Sequence, residues 1–236
     1  MEQKNRQIQV SQKYSPRDFR ELIMKIIPLF LLSMSLFIGV THVQAGAPEP
    51  ALQEAASDES VTPFRAGGHE VELRGGALFS FLNSGVNKPV LNYSLAAVRF
   101  GWMWNDVRYS GLFRGNSEVL FETFEGSVFK GPGNFAVGGQ LIYRYNFVQP
   151  GARIIPYFQL GGGGLYNDIW HQQVQHLIGE GFEFVLHGGF GARWMINDRW
   201  ALSGEGEYRH ISNAGLASRN QGLNSFGGSV GLNWLF

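Results

Sequence analysis

From His69 onward, hydrophobicity repeats every two residues rather than every 3.6, and this property decides most of what the chain can fold into. Phe135, Val137, Gly139, Leu141, Tyr143, Tyr145 and Phe147 form one row; Ala136, Gly138, Gln140, Arg144 and Asn146 between them are small or polar, with Ile142 the exception. Phe182, Phe184, Leu186, Phe190, Trp194 and Ile196 form a second row, and Phe226, Val230, Leu232, Trp234 and Phe236 a third. A period of two places alternate side chains on opposite faces of an extended strand. Eight such segments are legible, at 69–82, 91–104, 117–130, 134–148, 153–163, 181–196, 200–212 and 224–236. Each is long enough for the roughly ten residues that a tilted strand needs to cross a bilayer. Segments two, three and five are less regular, and 91–104 reads as changing face midway, as a bulge would make it do.

Which face is buried separates a soluble barrel from a membrane barrel. Between the apolar rows lie Glu183, Glu205, Glu207, Arg144, Arg193, Arg209 and His187, which suits a narrow interior filled by paired charges. A soluble barrel would turn its large aromatics inward, whereas here they suit lipid. With the amino end on the periplasmic side, Trp102, Trp104, Trp194, Trp200 and Trp234 fall on one rim, as an aromatic girdle requires. The expected fold is therefore all-β, an eight-stranded antiparallel transmembrane β-barrel over 69–236. Short turns are expected at 149–152 and 197–199, with a longer one at 105–116. The outer loops fall at 83–90, 131–133, 165–180 and 213–223.

Composition agrees. Aromatic residues at 14% together with 32 glycines exclude collagen and disorder. A mean hydropathy of −0.10 is far below that of a polytopic helical membrane protein. Equal numbers of Lys+Arg and Asp+Glu, 19 each, exclude a nucleic-acid binder held by general electrostatics. Without cysteine there is no disulfide, thiolate metal site or cysteine nucleophile. The only long apolar run, 26–40, follows Lys25 and precedes Val43-Gln44-Ala45, the pattern of a secretory signal ending at residue 45; a single membrane anchor is the competing reading. Met24-Lys25 is the expected true start, and 46–68 a flexible lead-in.

One strand carries residues that lipid alone does not explain. In 200–212 the even positions include Tyr208, His210 and Ser212, which parity places on the lipid row at the outer-leaflet end. An imidazole and a hydroxyl are costly there without partners. Residues two apart on one strand face have Cα atoms roughly 6.5–7 Å apart, a gap the two side chains can close. Asn224 lies on the adjoining strand beside the same end. A serine, a base and an orienting amide together have the geometry of an activated nucleophile.

The block HISNAGLASRNQG resembles the His-x-Ser-Asn-Ala-Gly motif of the outer-membrane lipid A 3-O-deacylases, which are eight-stranded barrels. The motif covers about fifteen residues, while the barrel pattern and signal carry the likeness across the mature chain. The resemblance implies an outer-membrane esterase that removes the 3-O acyl chain of lipid A, with Ser212 as nucleophile, His210 as general base and Asn213, Gly215 and Asn220 in the oxyanion stretch. Among the last three, Gly215 and Asn220 rank first as donors. The family's third catalytic member is a glutamate; Asn224 stands in its place. An amide holds an imidazole in one tautomer but does not offset its positive charge, so the departure implies a slower enzyme or another nearby acid. Glu207 is the nearest such acid, but parity points it into the lumen. The resemblance further implies lipopolysaccharide in the outer leaflet as partner, no metal and no cofactor; monomer and homodimer both stay open. Arg219, Lys88 and Lys130 are expected to meet lipid A phosphates. Two non-catalytic readings compete: a structural or adhesive barrel acting through its loops, and a lipid-binding pseudoenzyme.

The remaining signals are weaker. His171 and His176 flank QQVQ without the spacing of a helical ligand pair, and read as a solvated loop. Gly161 to Gly164 lack the helix-opening context of a phosphate loop and read as a strand end.

Overall fold

The computed structural model describes residues 63–81 and 88–236. The expected signal at 1–45, most of the lead-in and most of the first outer loop lie outside the described residues. The described residues form eight strands: β1 His69–Ser80, β2 Asn92–Met103, β3 Gly115–Lys130, β4 Phe135–Phe147, β5 Ile154–Asn167, β6 Phe182–Met195, β7 Trp200–Ser212 and β8 Leu223–Leu235. Every strand pairs antiparallel with its sequence neighbour, and β1 closes onto β8 from Glu70↔Leu235 to Ser80↔Ser225. Closure leaves no unpaired edge strand, so the ladders satisfy backbone groups without water, the condition a bilayer imposes. Among the described residues no helix is long and apolar enough to span a membrane.

Two irregularities differ from the sequence expectation. Segment two does not change face: inward and outward residues alternate without a break from Asn92 to Met103. What changes is the polarity of the lumen, which takes Tyr93, Leu95 and Ala97 near one end and Arg99 farther in. The register slip lies at Asn92/Tyr93, against β3. Strand β5 also runs beyond the expected 163 to Asn167, with Gly161 to Gly164 inside it. A Cβ on Gly163 would lie 2.0 Å from the Gly139 carbonyl oxygen, so the run reflects close strand packing, not a strand end.

The lumen is packed in three tiers. At mid-height Arg99 Nε donates to Glu122 Oε2 at 2.6 Å and its Nη1 to Glu205 Oε2 at 2.9 Å. Arg209 joins Glu122 and Glu207, and Arg144 joins Glu70 and Glu72. His187, Glu205 and Glu207 come close enough to hold a cation, but Arg74, Arg99 and Arg209 already occupy the carboxylates. Glu183, expected in this lumenal network, instead accepts the Gly179 and Glu180 amides and fixes a loop. Removing one partner from such a network strands a buried charge, at a cost of about 3–5 kcal/mol.

Apolar caps close both ends. One contains Leu78, Leu91, Phe124, Leu177, Ile178 and Leu223; the other contains Phe64, Met103, Ile155 and Leu235. The outer wall is the reverse of a soluble surface: Leu141, Leu160, Phe190 and Val230 are exposed while Arg99 and Arg144 are not. Contiguous apolar surface on this scale belongs against lipid. Around the end that carries the β1 start and β8 finish, Trp102 and Trp104 lie 5.9 Å apart, Trp200 stacks on Trp234 at 6.4 Å, and Phe236 stacks on Trp234 at 4.5 Å.

Candidate active site

The site is built where the β7–β8 ladder runs out. Tyr208, His210 and Ser212 share the outer face of β7, and the pairing sets His210 directly opposite Asn224. From Trp200 in the girdle to His210 are ten residues. At ~3.3 Å per residue on a strand tilted by ~40°, they climb about 25 Å, the height of the apolar band. His210 and Ser212 thus stand at the far apolar boundary from the girdle.

Asn224 Oδ1 lies 2.8 Å from His210 Nδ1, and His210 Nε2 lies 3.1 Å from Ser212 Oγ. A carbonyl oxygen only accepts, so Nδ1 carries the ring proton and Nε2 presents a lone pair to the serine hydroxyl. That is the tautomer a general base requires. The Tyr208 hydroxyl donates to the same Asn224 oxygen at 2.8 Å. This second donor holds the amide with oxygen, not nitrogen, toward the imidazole. Sequence reasoning placed Tyr208 on the right row but gave it no role.

Sequence reasoning gave Gly222 no role. It adopts φ +73, and a Cβ there would lie 2.9 Å from His210 Cε1. The ring sits in space that only glycine leaves.

The oxyanion candidates need a correction. The Asn213 amide N–H donates to Asn220 Oδ1 at 3.0 Å, and the Gly215 N–H donates to Asn213 Oδ1 at 3.0 Å. These groups close the turn after Ser212, so Gly215, ranked first with Asn220, has its N–H already engaged. The Asn220 side-chain amide nitrogen makes no described hydrogen bond and is the remaining donor of the set. Arg219 is corrected too. Its guanidinium donates to the carbonyls of Trp170, Gln172, Gln175 and Gly179, so it staples the loop at 213–222 to the loop at 168–181 and does not stand free for phosphate. Lys130 is exposed and Lys88 half-buried; Lys130 ends β3 and Lys88 precedes β2, both at the loop-bearing end of the barrel. The His171 ring packs against Trp170 with centroids 4.1 Å apart, and the His176 carbonyl accepts the Gln221 N–H. Glu207 is buried against Arg209 and Arg74, away from the triad.

Beside Ser212 an open groove of ≈ 560 Å³ runs over the outer wall, floored by Gly162 and Gly164 and walled by Phe182, Phe184 and Leu186. A side chain on Gly164 would meet the Phe182 ring at 2.7 Å. The glycine run therefore opens a trough between apolar walls that leads to the hydroxyl.

A family model described as lipid A 3-O-deacylase (PagL) matches residues 91–233, which include Tyr208, His210, Ser212, Asn220 and Asn224. Among solved structures, the outer membrane enzyme PagL aligns at 19% identity over 71% of this chain and 98% of its own, with a TM-score of 0.47. Neisserial surface protein A (NspA) aligns at 12% identity over 72% and 97%, with a TM-score of 0.50. The N-terminal β-barrel domain of Pseudomonas aeruginosa OprF aligns at 13% identity over 72% and 98%, with a TM-score of 0.46. At such identities a structural likeness speaks to the fold alone. Comparison with curated proteins gives no match. The family match spans more than half of the residues, and the chain belongs to the lipid A 3-O-deacylase (PagL) family.

Proposed function

We propose that this protein is an outer-membrane esterase that hydrolyses the 3-O-linked acyl chain of lipid A through Ser212 and His210. The observation that carries the reading is the continuous run from Tyr208 through Asn224 and His210 to Ser212, on the lipid-facing wall beside an apolar trough. Glycolipid ester carbonyls lie at the boundary between acyl chains and head groups, the height of this site.

Ser212 Oγ attacks the ester carbonyl while His210 Nε2 takes its proton. In this reading the Asn220 side-chain amide donates to the developing oxyanion. Collapse of the tetrahedral intermediate breaks the bond to the sugar oxygen, which leaves with the proton from Nε2. Water then attacks the acyl-enzyme, with Nε2 as base again, releasing a fatty acid and restoring the serine. Throughout, Asn224 keeps the proton on Nδ1, and Tyr208 keeps Asn224 in the orientation that does so.

The test is mass analysis of lipid A incubated with purified protein in detergent. The expected product has lost one acyl chain, and Ser212→Ala abolishes the change while keeping heat-modifiable gel mobility. An unchanged acyl count with folded wild-type protein defeats the proposal and leaves a structural barrel or a lipid-binding pseudoenzyme.

A further inference from the structure

At the girdle end of the barrel, far from Ser212, the connection 104–114 leaves the end of β2 and lies along the outer wall of β3 and β4. It is pinned there. The Tyr145 hydroxyl donates to the Phe113 carbonyl at 2.6 Å, and Gln149 Nε2 donates to the Gly111 carbonyl at 3.0 Å. Between connection and wall is a cleft of ≈ 410 Å³ lined by Trp104, Asp106, Arg108, Tyr109, Tyr143 and Tyr145 among others. Nothing in the reaction at Ser212 uses it.

We propose that this cleft binds the head group of a zwitterionic glycerophospholipid bearing a phosphate and a primary ammonium. Three observations converge on that chemistry. The Arg108 guanidinium is exposed and makes no hydrogen bond or ion pair among the described residues, although it lines the cleft. Its planar fork fits a phosphate diester. Asp106 uses Oδ1 to accept the Ala66 N–H at 2.9 Å, which leaves Oδ2 for an ammonium. Trp104, Tyr109, Tyr143 and Tyr145 supply aromatic faces to the same cation. Tyr109 holds φ 66, a left-handed conformation that a bulky residue rarely adopts.

One cation and one anion in a single cleft are complementary to a dipolar head group. They disfavour an anionic phosphoglycerol head group, which carries no ammonium to offset the Asp106 carboxylate. The depth agrees: Trp104 belongs to the girdle, where head groups meet acyl chains, and the exposed Leu112 and Phe113 extend the connection's apolar surface. The lipid at this end of the barrel is in the opposite leaflet from the substrate of Ser212, and no readout below depends on that serine.

The test is native mass spectrometry of the full chain in detergent. It is mixed with equal amounts of phosphatidylethanolamine and phosphatidylglycerol of matched acyl chains, with gel mobility checking the fold of each variant. Wild-type protein is expected to retain the ethanolamine lipid several-fold over the glycerol lipid. Arg108→Ala is expected to weaken that retention roughly tenfold, the usual scale for a charged hydrogen bond. Asp106→Asn, which keeps the Oδ1 acceptor, is expected to erase the preference between the two lipids. Equal retention of both by wild type, unchanged retention in Arg108→Ala, or an intact preference in Asp106→Asn would each overturn the assignment.

Discussion

Asn224→Glu isolates the electrostatic part of the proposed mechanism. In the native chain a neutral oxygen faces His210 Nδ1 at 2.8 Å, so the imidazolium formed when Ser212 loses its proton has no counter-charge there. A carboxylate in that place would sit roughly 4 Å from the centre of the ring charge. At an effective dielectric near 20 that separation corresponds to about 4 kcal/mol. Both side chains are only half-buried, and the carboxylate loses some hydration on the wall, so about 1.5–3 kcal/mol is the net expectation. That is roughly ten- to hundredfold in rate. Because the charge appears only in the transition state, kcat should rise while KM stays put. The assay is initial-rate mass spectrometry of lipid A at several substrate concentrations. Equal kcat in the two forms would refute the claim that uncompensated ring charge limits the enzyme.

Tyr208→Phe removes the donor that fixes the Asn224 amide, so nitrogen-15 NMR of His210 should change from one tautomer to a mixture, and kcat should fall roughly two- to tenfold. In an Asn224→Glu background the same change should cost little, because the two oxygens of a carboxylate are equivalent; an equal loss in both backgrounds would make Tyr208 merely structural. Gly222→Ala puts a methyl group 2.9 Å from His210 Cε1 and forces alanine into positive φ, so activity should drop roughly tenfold or more with gel mobility retained. Arg219→Ala cuts the staple between the two loops and should increase proteolysis within 168–181 while lowering the rate; unchanged protection would assign the staple no structural weight.

The fold was legible because a two-residue period does not depend on tertiary context. Once the large aromatics alternate with Glu, Arg and Gly, only an inside-out barrel accommodates both faces. The exceptions share a cause. Tyr93, Leu95 and Ala97 suggested a face change in β2 because a wholly polar lumen was assumed, whereas apolar caps seal it at each end. The glycines of β5 looked like a strand end because sequence does not reveal how closely a neighbouring backbone approaches. At the site, parity was enough to bring His210, Ser212 and Asn224 together, since strand faces and register are local properties. Parity was silent on hydrogen bonds inside a turn. The Asn213 and Gly215 N–H groups are taken up by Asn220 and Asn213 oxygens within the turn, and Arg219 is consumed by carbonyls from a loop some forty residues earlier in sequence.

The amide at 224 is best understood from where the site stands. In the lumen Glu70, Glu72, Glu118, Glu122, Glu205 and Glu207 each find an arginine, whereas among the described residues the outer face offers no such partner beside His210. A resident carboxylate there would have to be supported in the ground state by the Tyr208 hydroxyl and the imidazole alone, against the cost of placing charge at a lipid boundary. Asn224 avoids that cost and keeps what geometry alone can give, the ring tautomer, at the expense of charge stabilisation in the transition state. On this account Asn224→Glu should be the faster enzyme and the less stable barrel. A variant both faster and at least as resistant to thermal unfolding in detergent would show that the amide carries no stability advantage.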